Sequence, residues 1–305
     1  MSTLKLKSTR KIIVYFLFIF MASLFETQAQ YTASDNPIEQ SKMVFFRYGF
    51  VESDTLIYKV RAFDSVVVDY GKPLLRERFE KVRIVCDSVN ESGRMFLSSE
   101  LIEFVAYEAD NNIKKQKSTE SSWLNRKVFF EIDSLGVRYS SSIADESTPG
   151  ITVGGAFQQP IVFPIGKGQA KPNRTWMYNS KEYYHENAFP VPAVQQSYHY
   201  RAHEPLDTLG YSCVRMDYII STQGSVKIIT AKGKMTVSSI IAGFGIADFS
   251  SEYGVPVHHQ SSQEVKLTFH LKDNKTVPGV QFINTYVTLD KFIAGFRTVE
   301  ASETE

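Results

Sequence analysis

Alternation of apolar and polar residues is the feature that most constrains how this chain can fold. Apolar residues recur at every second position in five runs, at residues 56–62, 82–86, 128–132, 214–220 and 265–271. A period of two places successive side chains on opposite faces of a sheet, which is typical of half-buried strands. The sequence therefore predicts a chain built mainly from strands.

Turn-forming residues separate these runs at short intervals. They lie at residues 90–93, 134–136, 223–224, 252–254 and 272–274. Short turns favour antiparallel neighbours over units in which helices connect parallel strands. Helical spacing is limited to residues 74–79 and to Leu289, Phe292, Ile293 and Phe296. We predict an all-β fold of curved, mostly antiparallel sheets with at most one or two short helices.

The first 29 residues have the pattern of an export signal. Four basic residues precede residues 12–25, an uncharged run of fourteen residues. As a helix this run is about 21 Å long, whereas a bilayer core is about 30 Å thick. Thr27 and Ala29 suit the −3 and −1 positions of a signal peptidase site, so residues 1–29 are predicted to be a cleaved signal peptide. An uncleaved anchor is the alternative, and no second apolar stretch is long enough to span a membrane after cleavage.

An internal similarity indicates two related halves. Two segments, at residues 130–140 and 247–257, each consist of a strand, a turn closed by Gly-Val and a second strand. A second pair, at residues 82–97 and 214–228, has a strand that ends at Gly93 or Gly224 and a second apolar strand. We predict a first β half at 30–148, a Pro- and Gly-rich crossover at 149–173, a second β half at 174–299 and an acidic tail at 300–305.

Composition and motifs argue against several functional classes. The net charge is +1, without the basic excess that nucleic-acid binding requires. No Gly-x-Ser-x-Gly, Cys-x-x-Cys or His-Glu-x-x-His motif occurs. His199 and His203 share a strand face but lie about 13 Å apart, too far to bind one ion. We therefore predict no catalytic residue, no metal site and no cofactor, and a secreted hydrolase is the less favoured alternative.

The two cysteines, Cys86 and Cys213, leave two interpretations open. An oxidising compartment outside the cytoplasm would allow a disulfide between them. A buried free cysteine also occurs commonly as a small apolar residue. The sequence does not choose between these states.

Tyrosines gather at the start of the second half. They are Tyr178, Tyr183, Tyr184, Tyr198 and Tyr200. Tyrosine combines an apolar ring with a polar hydroxyl and suits the mouth of an apolar cavity. We predict them as candidate ligand-binding residues, with simple packing of aromatic residues in strands as the alternative.

Five segments carry a resemblance to a known family: Tyr48-Gly-Phe, Asp54-Thr-Leu-Ile-Tyr-Lys-Val, Arg174-Thr-Trp-Met-Tyr, Asp207-Thr-Leu-Gly-Tyr-Ser-Cys-Val-Arg-Met-Asp-Tyr and Gly243-Phe-Gly-Ile-Ala-Asp-Phe. In these segments the chain resembles uncharacterised secreted β-rich envelope proteins of Bacteroidota-type bacteria. The resemblance implies two half-barrel-like halves similar to carriers of envelope lipoproteins and lipids. It implies no assigned activity.

Together these observations predict an exported protein of the periplasm or cell envelope, or of the extracellular space. We expect a non-catalytic binding or carrier module for an apolar small molecule or lipid. The main alternative is a structural module with a solid core that contacts another envelope protein. The expected partners include no nucleic acid.

Overall fold

The computed structural model of the protein describes residues 42–109, 115–144, 159–182, 194–230, 233–271 and 274–296. The predicted signal peptide and acidic tail lie outside these ranges. The described residues belong to one unit that begins at Lys42.

Within these ranges the chain forms fifteen strands and no α-helix. They are β1 (Val44–Phe45), β2 (Thr55–Val68), β3 (Leu74–Val89), β4 (Met95–Ala109), β5 (Gln116–Ser118), β6 (Lys127–Ile132), β7 (Arg138–Ile143), β8 (Gln169–Ala170), β9 (Thr175–Glu182), β10 (Val194–Ala202), β11 (Leu206–Thr208), β12 (Tyr211–Thr230), β13 (Gly233–Ser250), β14 (Pro256–His270) and β15 (Thr276–Ile293).

Thirteen of these strands form one large antiparallel sheet. Its order from edge to edge is β7-β6-β4-β3-β2-β15-β14-β13-β12-β10-β9, and the short strands β5 and β11 pair with β4 and β12. β1 and β8 form a separate pair. The sheet is curved and remains open, which confirms the predicted all-β fold class.

The last strand, β15, lies in the middle of the sheet. It pairs with β14 on one side and with β2 on the other. β15 therefore joins the strands of the two predicted halves into one sheet. The division into two related halves stays a prediction.

The alternation in the sequence matches the two faces of the sheet. We call the face that packs against the core the inner face and the opposite one the outer face. In β2 the side chains of Leu56, Tyr58, Val60 and Ala62 are buried on the inner face, while Lys59 and Arg61 are exposed on the outer face. The alternating runs in β3, β6 and β12 likewise place their apolar members in the core. In the run 265–271 Val265 and Leu267 are buried, whereas Leu271, just beyond β14, is exposed. A residue's parity along its strand thus decides its environment.

The two candidate helical segments lie in strands, which agrees with the prediction of at most one or two short helices. Residues 74–79 belong to β3 and pair with β2 and β4. Leu289, Phe292 and Ile293 belong to β15, where the register shifts between Leu289 and Lys291. A bulge of this kind inserts one residue and breaks the period of two, and this interruption imitates helical spacing.

The turn predicted at Gln223 and Gly224 is also wrong. β12 continues through this dipeptide to Thr230, and Gly224 pairs with Ser239 of β13. Pairing along the long β12–β13 hairpin outweighs the local turn preference of glycine. The similarity between residues 82–97 and 214–228 is therefore not present in the structure, because the residues before and after Gly224 both belong to β12.

The two segments of the other internal similarity, 130–140 and 247–257, each form a hairpin turn. Gly136 lies between β6 and β7 with φ of 75°, and Gly254 lies between β13 and β14 with φ of 63°. Both turns contact residues 46–50: Tyr48 N–H donates to Ser134, and Gly49 N–H donates to Gly254. A Cβ atom at either glycine would collide with this packing, at Gly136 with Phe163 and Tyr48.

The described part of the predicted crossover, from Gln159, runs through the core. Phe163 is 1% exposed and its ring packs against the rings of Tyr198, Tyr218, Phe249 and His259. Residues 46–50 add Phe46, Tyr48 and Phe50 to the same apolar cluster. The chain's own segments therefore pack against the inner face of the sheet.

Candidate functional site

Three of the predicted tyrosines come together on the inner face. Tyr198 pairs with Tyr178 across β10 and β9, and its ring stacks on that of Tyr200 at 5.3 Å. Tyr200 also stacks on Trp176 at 5.2 Å. Tyr183 and Tyr184 lie outside the described residues. The sequence thus identified a true aromatic group.

The described tyrosines already contact the chain itself. The hydroxyl of Tyr200 donates to the carbonyl of Pro164, and that of Tyr198 accepts from the Gln159 side chain. Tyr198 and Tyr200 are each 1% exposed. Burial also raises the pKa of Tyr200, with nearby tyrosines adding to the effect, so its hydroxyl stays neutral. Their role in ligand binding stays a prediction.

Cys86 and Cys213 are both buried free thiols. Burial raises the pKa of Cys86 to about 12 and that of Cys213 to about 11, and nearby carboxylates add to both shifts. Thiols with such values are poor nucleophiles at neutral pH. The structure therefore shows the free-thiol state of the two that the sequence left open.

The buried carboxylate of Asp248 belongs to an ion pair. Arg215 donates to its two oxygens at 2.6 and 2.8 Å, and Thr208 donates at 3.1 Å. Burial alone would raise the pKa of Asp248, but the bonds from Arg215 and His258 outweigh it and lower the value. This arrangement stabilises the junction of β11, β12, β13 and β14.

Among the described residues, no three His, Cys, Asp or Glu side chains gather as they would around a metal ion.

A groove of about 800 Å³ crosses the outer face over four adjacent strands. We call it the outer groove. Its lining residues are Lys59, Val60, Arg61, Phe63, Phe79, Glu80, Lys81, Glu103, Val105, Tyr286 and Thr288. β15, β2, β3 and β4 place these residues side by side, since Tyr286 pairs with Arg61, Arg61 with Phe79 and Phe79 with Val105.

Aromatic rings of the outer groove reach solvent. Phe79 is 40% exposed and Tyr286 is 39% exposed. Phe63 and Tyr286 meet edge to face at 6.4 Å. The Arg61 guanidinium lies over the rings of Phe63 and Phe79 at 4.5 and 5.5 Å. The floor of the groove is therefore aromatic, with a planar cation stacked against it.

The cations at the groove each have a carboxylate partner. Lys59 pairs with Asp290 at 2.5 Å, Arg61 with Glu77 at 2.8 Å and Lys81 with Glu103 at 2.8 Å. The bond from Arg61 lowers the pKa of Glu77, which keeps this carboxylate ionised. Paired charges of both signs leave the groove close to neutral.

Sequence reasoning missed the outer groove. The alternation of β2 places Phe63 in the same outward register as Lys59 and Arg61, a signal that could have been used. Phe79 belongs to the candidate helical segment 74–79, so the sequence did not indicate that its side chain faces outward. Outward aromatic residues on three adjacent strands become visible as one surface only when the strand pairing is known.

Comparisons with known proteins do not assign a family. No protein-family model matches the chain, and no curated protein sequence matches it. Lipovitellin, from a structure describing its lipid–protein interactions, aligns with a TM-score of 0.44 and 11% identity over 83% of this chain and 26% of its own. The chain therefore spans about a quarter of the length of lipovitellin.

Two further solved structures show weaker similarity. A protein with a YmcC-like fold from Bacteroides fragilis has a TM-score of 0.27 and 12% identity, covering 82% of this chain and 100% of its own. DynF, of the dynemicin biosynthesis pathway of Micromonospora chersina, has a TM-score of 0.26 and 10% identity, covering 85% and 90%. These scores carry no functional argument.

Proposed function

We propose that the protein is an exported, non-catalytic binding module for an apolar or lipid-like ligand, which it binds in the outer groove. The observation that carries this proposal is a groove of about 800 Å³ whose floor is formed by partly exposed aromatic rings. Ligand sites commonly have volumes of about 300 to 1,000 Å³ and are lined mainly by apolar and aromatic side chains.

The chemistry of the lining favours an uncharged or weakly polar ligand. Its lysine and arginine head groups already pair with carboxylates, and their methylene stems extend the apolar surface. An anionic ligand would have to displace Asp290, Glu77 or Glu103 from its partner. Apolar contact with the rings requires no such exchange.

The proposal that the protein is exported depends on the predicted signal peptide. An exported protein would bind its ligand in the periplasm, in the cell envelope or outside the cell. Among the described residues, no helix is both long and apolar enough to cross a membrane.

A protein-interaction module is the second candidate function. Ile219 and Phe244 are direct neighbours on the outer face of β12 and β13, and each is 62% exposed. Adjacent exposed apolar side chains of this kind are typical of contact surfaces. This pair lies outside the lining of the outer groove, so the two candidates can be tested with different substitutions.

The test measures binding of N-phenyl-1-naphthylamine, an uncharged apolar fluorophore, to the mature protein. Phe79→Ser removes one ring from the floor of the groove and is expected to weaken binding about tenfold, since loss of buried apolar area costs roughly 1 to 1.5 kcal/mol. Phe244→Ser is the matched control, because it removes an equally outward ring elsewhere on the same face.

Equal binding by Phe79→Ser and the wild type would contradict the proposal. Weakening by Phe244→Ser alone would move the apolar site to the second surface. Mass spectrometry of protein purified from its own host supplies a parallel readout, because copurified acyl chains that are lost from Phe79→Ser support the groove.

A further inference from the structure

A row of small side chains, which we call the trough, lies in the middle of the inner face. Ser261, Thr285 and Ala62 are direct neighbours across β14, β15 and β2, and Arg78 of β3 follows in the same row. At the usual strand spacing this row is about 14 Å long. We call the trough and the polar side chains around it the Thr285 site; they are His259, Ser261, Gln263, Thr285, Glu80 and Arg78.

Several buried polar atoms of the Thr285 site have no hydrogen-bond partner within the described part of the chain. They are Thr285 Oγ1, Gln263 Oε1, His259 Nδ1 and Glu80 Oε2. Each of these residues is at least nine-tenths buried. Leaving one such atom unpaired costs about 1 to 3 kcal/mol, and folded proteins rarely accept several together. The group therefore lacks a partner within the residues that the structure describes, and a bound ligand could supply one.

Strand pairing directs all four side chains to the same face. His259 pairs with Val287, Gln263 with Ile283 and Glu80 with Val60, all of which are buried on the inner face. Thr285 lies between Val287 and Ile283 in β15, two residues from each. The unpaired atoms thus surround one trough.

The walls of the trough are held in position by other bonds. Tyr218 lies over Gly245, and its hydroxyl lies 2.6 Å from Nε2 of His259. The amide nitrogen of Gln263 donates to the Gln159 side chain at 3.3 Å. His259 and Gln263 therefore present their second polar atoms in fixed directions, which lowers the entropy cost of binding.

The charges around the trough are already neutralised. Arg78 donates to Asp64 at 2.8 Å and to Glu80 at 2.6 Å, and Arg76 donates to Asp64 at 3.2 Å, so two arginines face two carboxylates. Burial lowers the pKa of His259 to about 3, and the nearby His258 adds to this, so its ring is neutral at physiological pH. A charged ligand would enter a buried site without a free counter-charge, which is costly. Hydroxyl groups can both donate and accept, and they match this mixed set.

We propose that the Thr285 site binds a small uncharged ligand that carries several hydroxyl groups. Glu80 belongs to both sites, whereas the other residues of the Thr285 site lie on the opposite face of the sheet from the aromatic floor of the outer groove. The Thr285 site would take a ligand of a different class. Its failure would leave the proposed function of the outer groove untouched.

The test titrates the full mature protein with three four-carbon compounds by calorimetry. They are erythritol, which is uncharged, succinate, an anion, and 1,4-diaminobutane, a cation. We expect erythritol to bind at least tenfold more tightly than either charged compound. Thr285→Val preserves the shape of the side chain but removes the hydroxyl, and it is expected to weaken erythritol binding about tenfold.

Two further variants keep the result interpretable. Thr285→Ser restores a hydroxyl and should restore binding. Thr268→Val makes the same change on the outer face of the neighbouring β14 and should bind as the wild type does. Absence of erythritol binding to the wild type, equal binding by Thr285→Val, or preference for a charged compound would each overturn the proposal.

Discussion

Aromatic residues occupy both faces of the sheet, and the two faces use them differently. On the inner face the Tyr48 hydroxyl accepts from Phe163 N–H and donates to Phe163 carbonyl, and the Phe163 ring is enclosed by other rings. On the outer face Phe79 and Tyr286 remain about two-fifths exposed above a groove. Aromatic residues alone therefore do not identify a binding site, whereas their exposure and the space beside them do.

Removal of the Phe163 ring is expected to change the stability of the protein most, and it tests the contrast between the two faces. Phe163→Ala should destabilise the protein by about 4 kcal/mol, because the ring is fully buried and its removal leaves a cavity. Urea unfolding followed by circular dichroism measures the change. Phe244→Ala, on the outer face, should change the stability by about 0.5 kcal/mol or less. Similar losses at the two positions would remove the distinction between the faces.

A pair of glycines tests how tightly the turns pack on the core. Gly136→Ala should cost about 3 kcal/mol, because an added methyl group meets Phe163 and Tyr48 in addition to the strain of a positive φ. Gly93 has a similar φ of 76° but open space around its Cα, so Gly93→Ala should cost about 1 kcal/mol. Thermal unfolding of both variants provides the measurement, and equal costs would show that the Gly136 turn does not pack against the interior.

Acidification should destabilise the interior through His259. Its pKa is about 3 in the folded protein and about 6.5 ordinarily, so the unfolded chain takes up the proton first. Stability from this group is complete above about pH 6.5 and falls as the pH decreases towards 3, by about 2 kcal/mol between pH 7 and pH 5.

Urea unfolding at the two pH values measures this loss, with His259→Gln as the comparison. The variant lacks the titrating ring and should lose about 2 kcal/mol less than the wild type over that interval. An unchanged pH dependence in the variant would show that His259 is not buried in its neutral form.

The smallest expected effect concerns the hydroxyl of Tyr200. Tyr200→Phe removes the donor to Pro164 and should cost about 1 kcal/mol, a typical net value for a buried hydrogen bond. Tyr139→Phe removes an exposed hydroxyl that donates to Asp133 and should cost less than about 0.5 kcal/mol. Equal costs in denaturant titrations would indicate that the hydroxyl of Tyr200 is free to bind other groups.

Much of the fold could be predicted from the sequence, because alternation reports directly which side of a strand is buried. The runs containing Leu56, Val82 and Val265 are strands of the predicted kind. The bulge near Leu289 and the extension of β12 past Gly224 could not be predicted, because both depend on pairing with distant strands. The conformational preference of a single residue has little effect where many cross-strand hydrogen bonds favour a different structure.

The candidate site was harder to predict than the fold. The tyrosines at 198 and 200 were found because they lie close in sequence, yet the structure places them within the core. The outer groove joins Phe79 of β3 with Tyr286 of β15, which are more than two hundred residues apart. Their strands lie close together because β15 pairs with β2, so only β2 separates β15 from β3 in the sheet.

Binding of N-phenyl-1-naphthylamine to Tyr200→Phe and Phe79→Ser tests most directly whether an apolar ligand binds on the outer face and not in the interior. We predict that Phe79→Ser raises the dissociation constant about tenfold while Tyr200→Phe leaves it within about twofold of the wild type. The opposite result, weaker binding by Tyr200→Phe with Phe79→Ser unchanged, would contradict this prediction and place the ligand among the interior tyrosines.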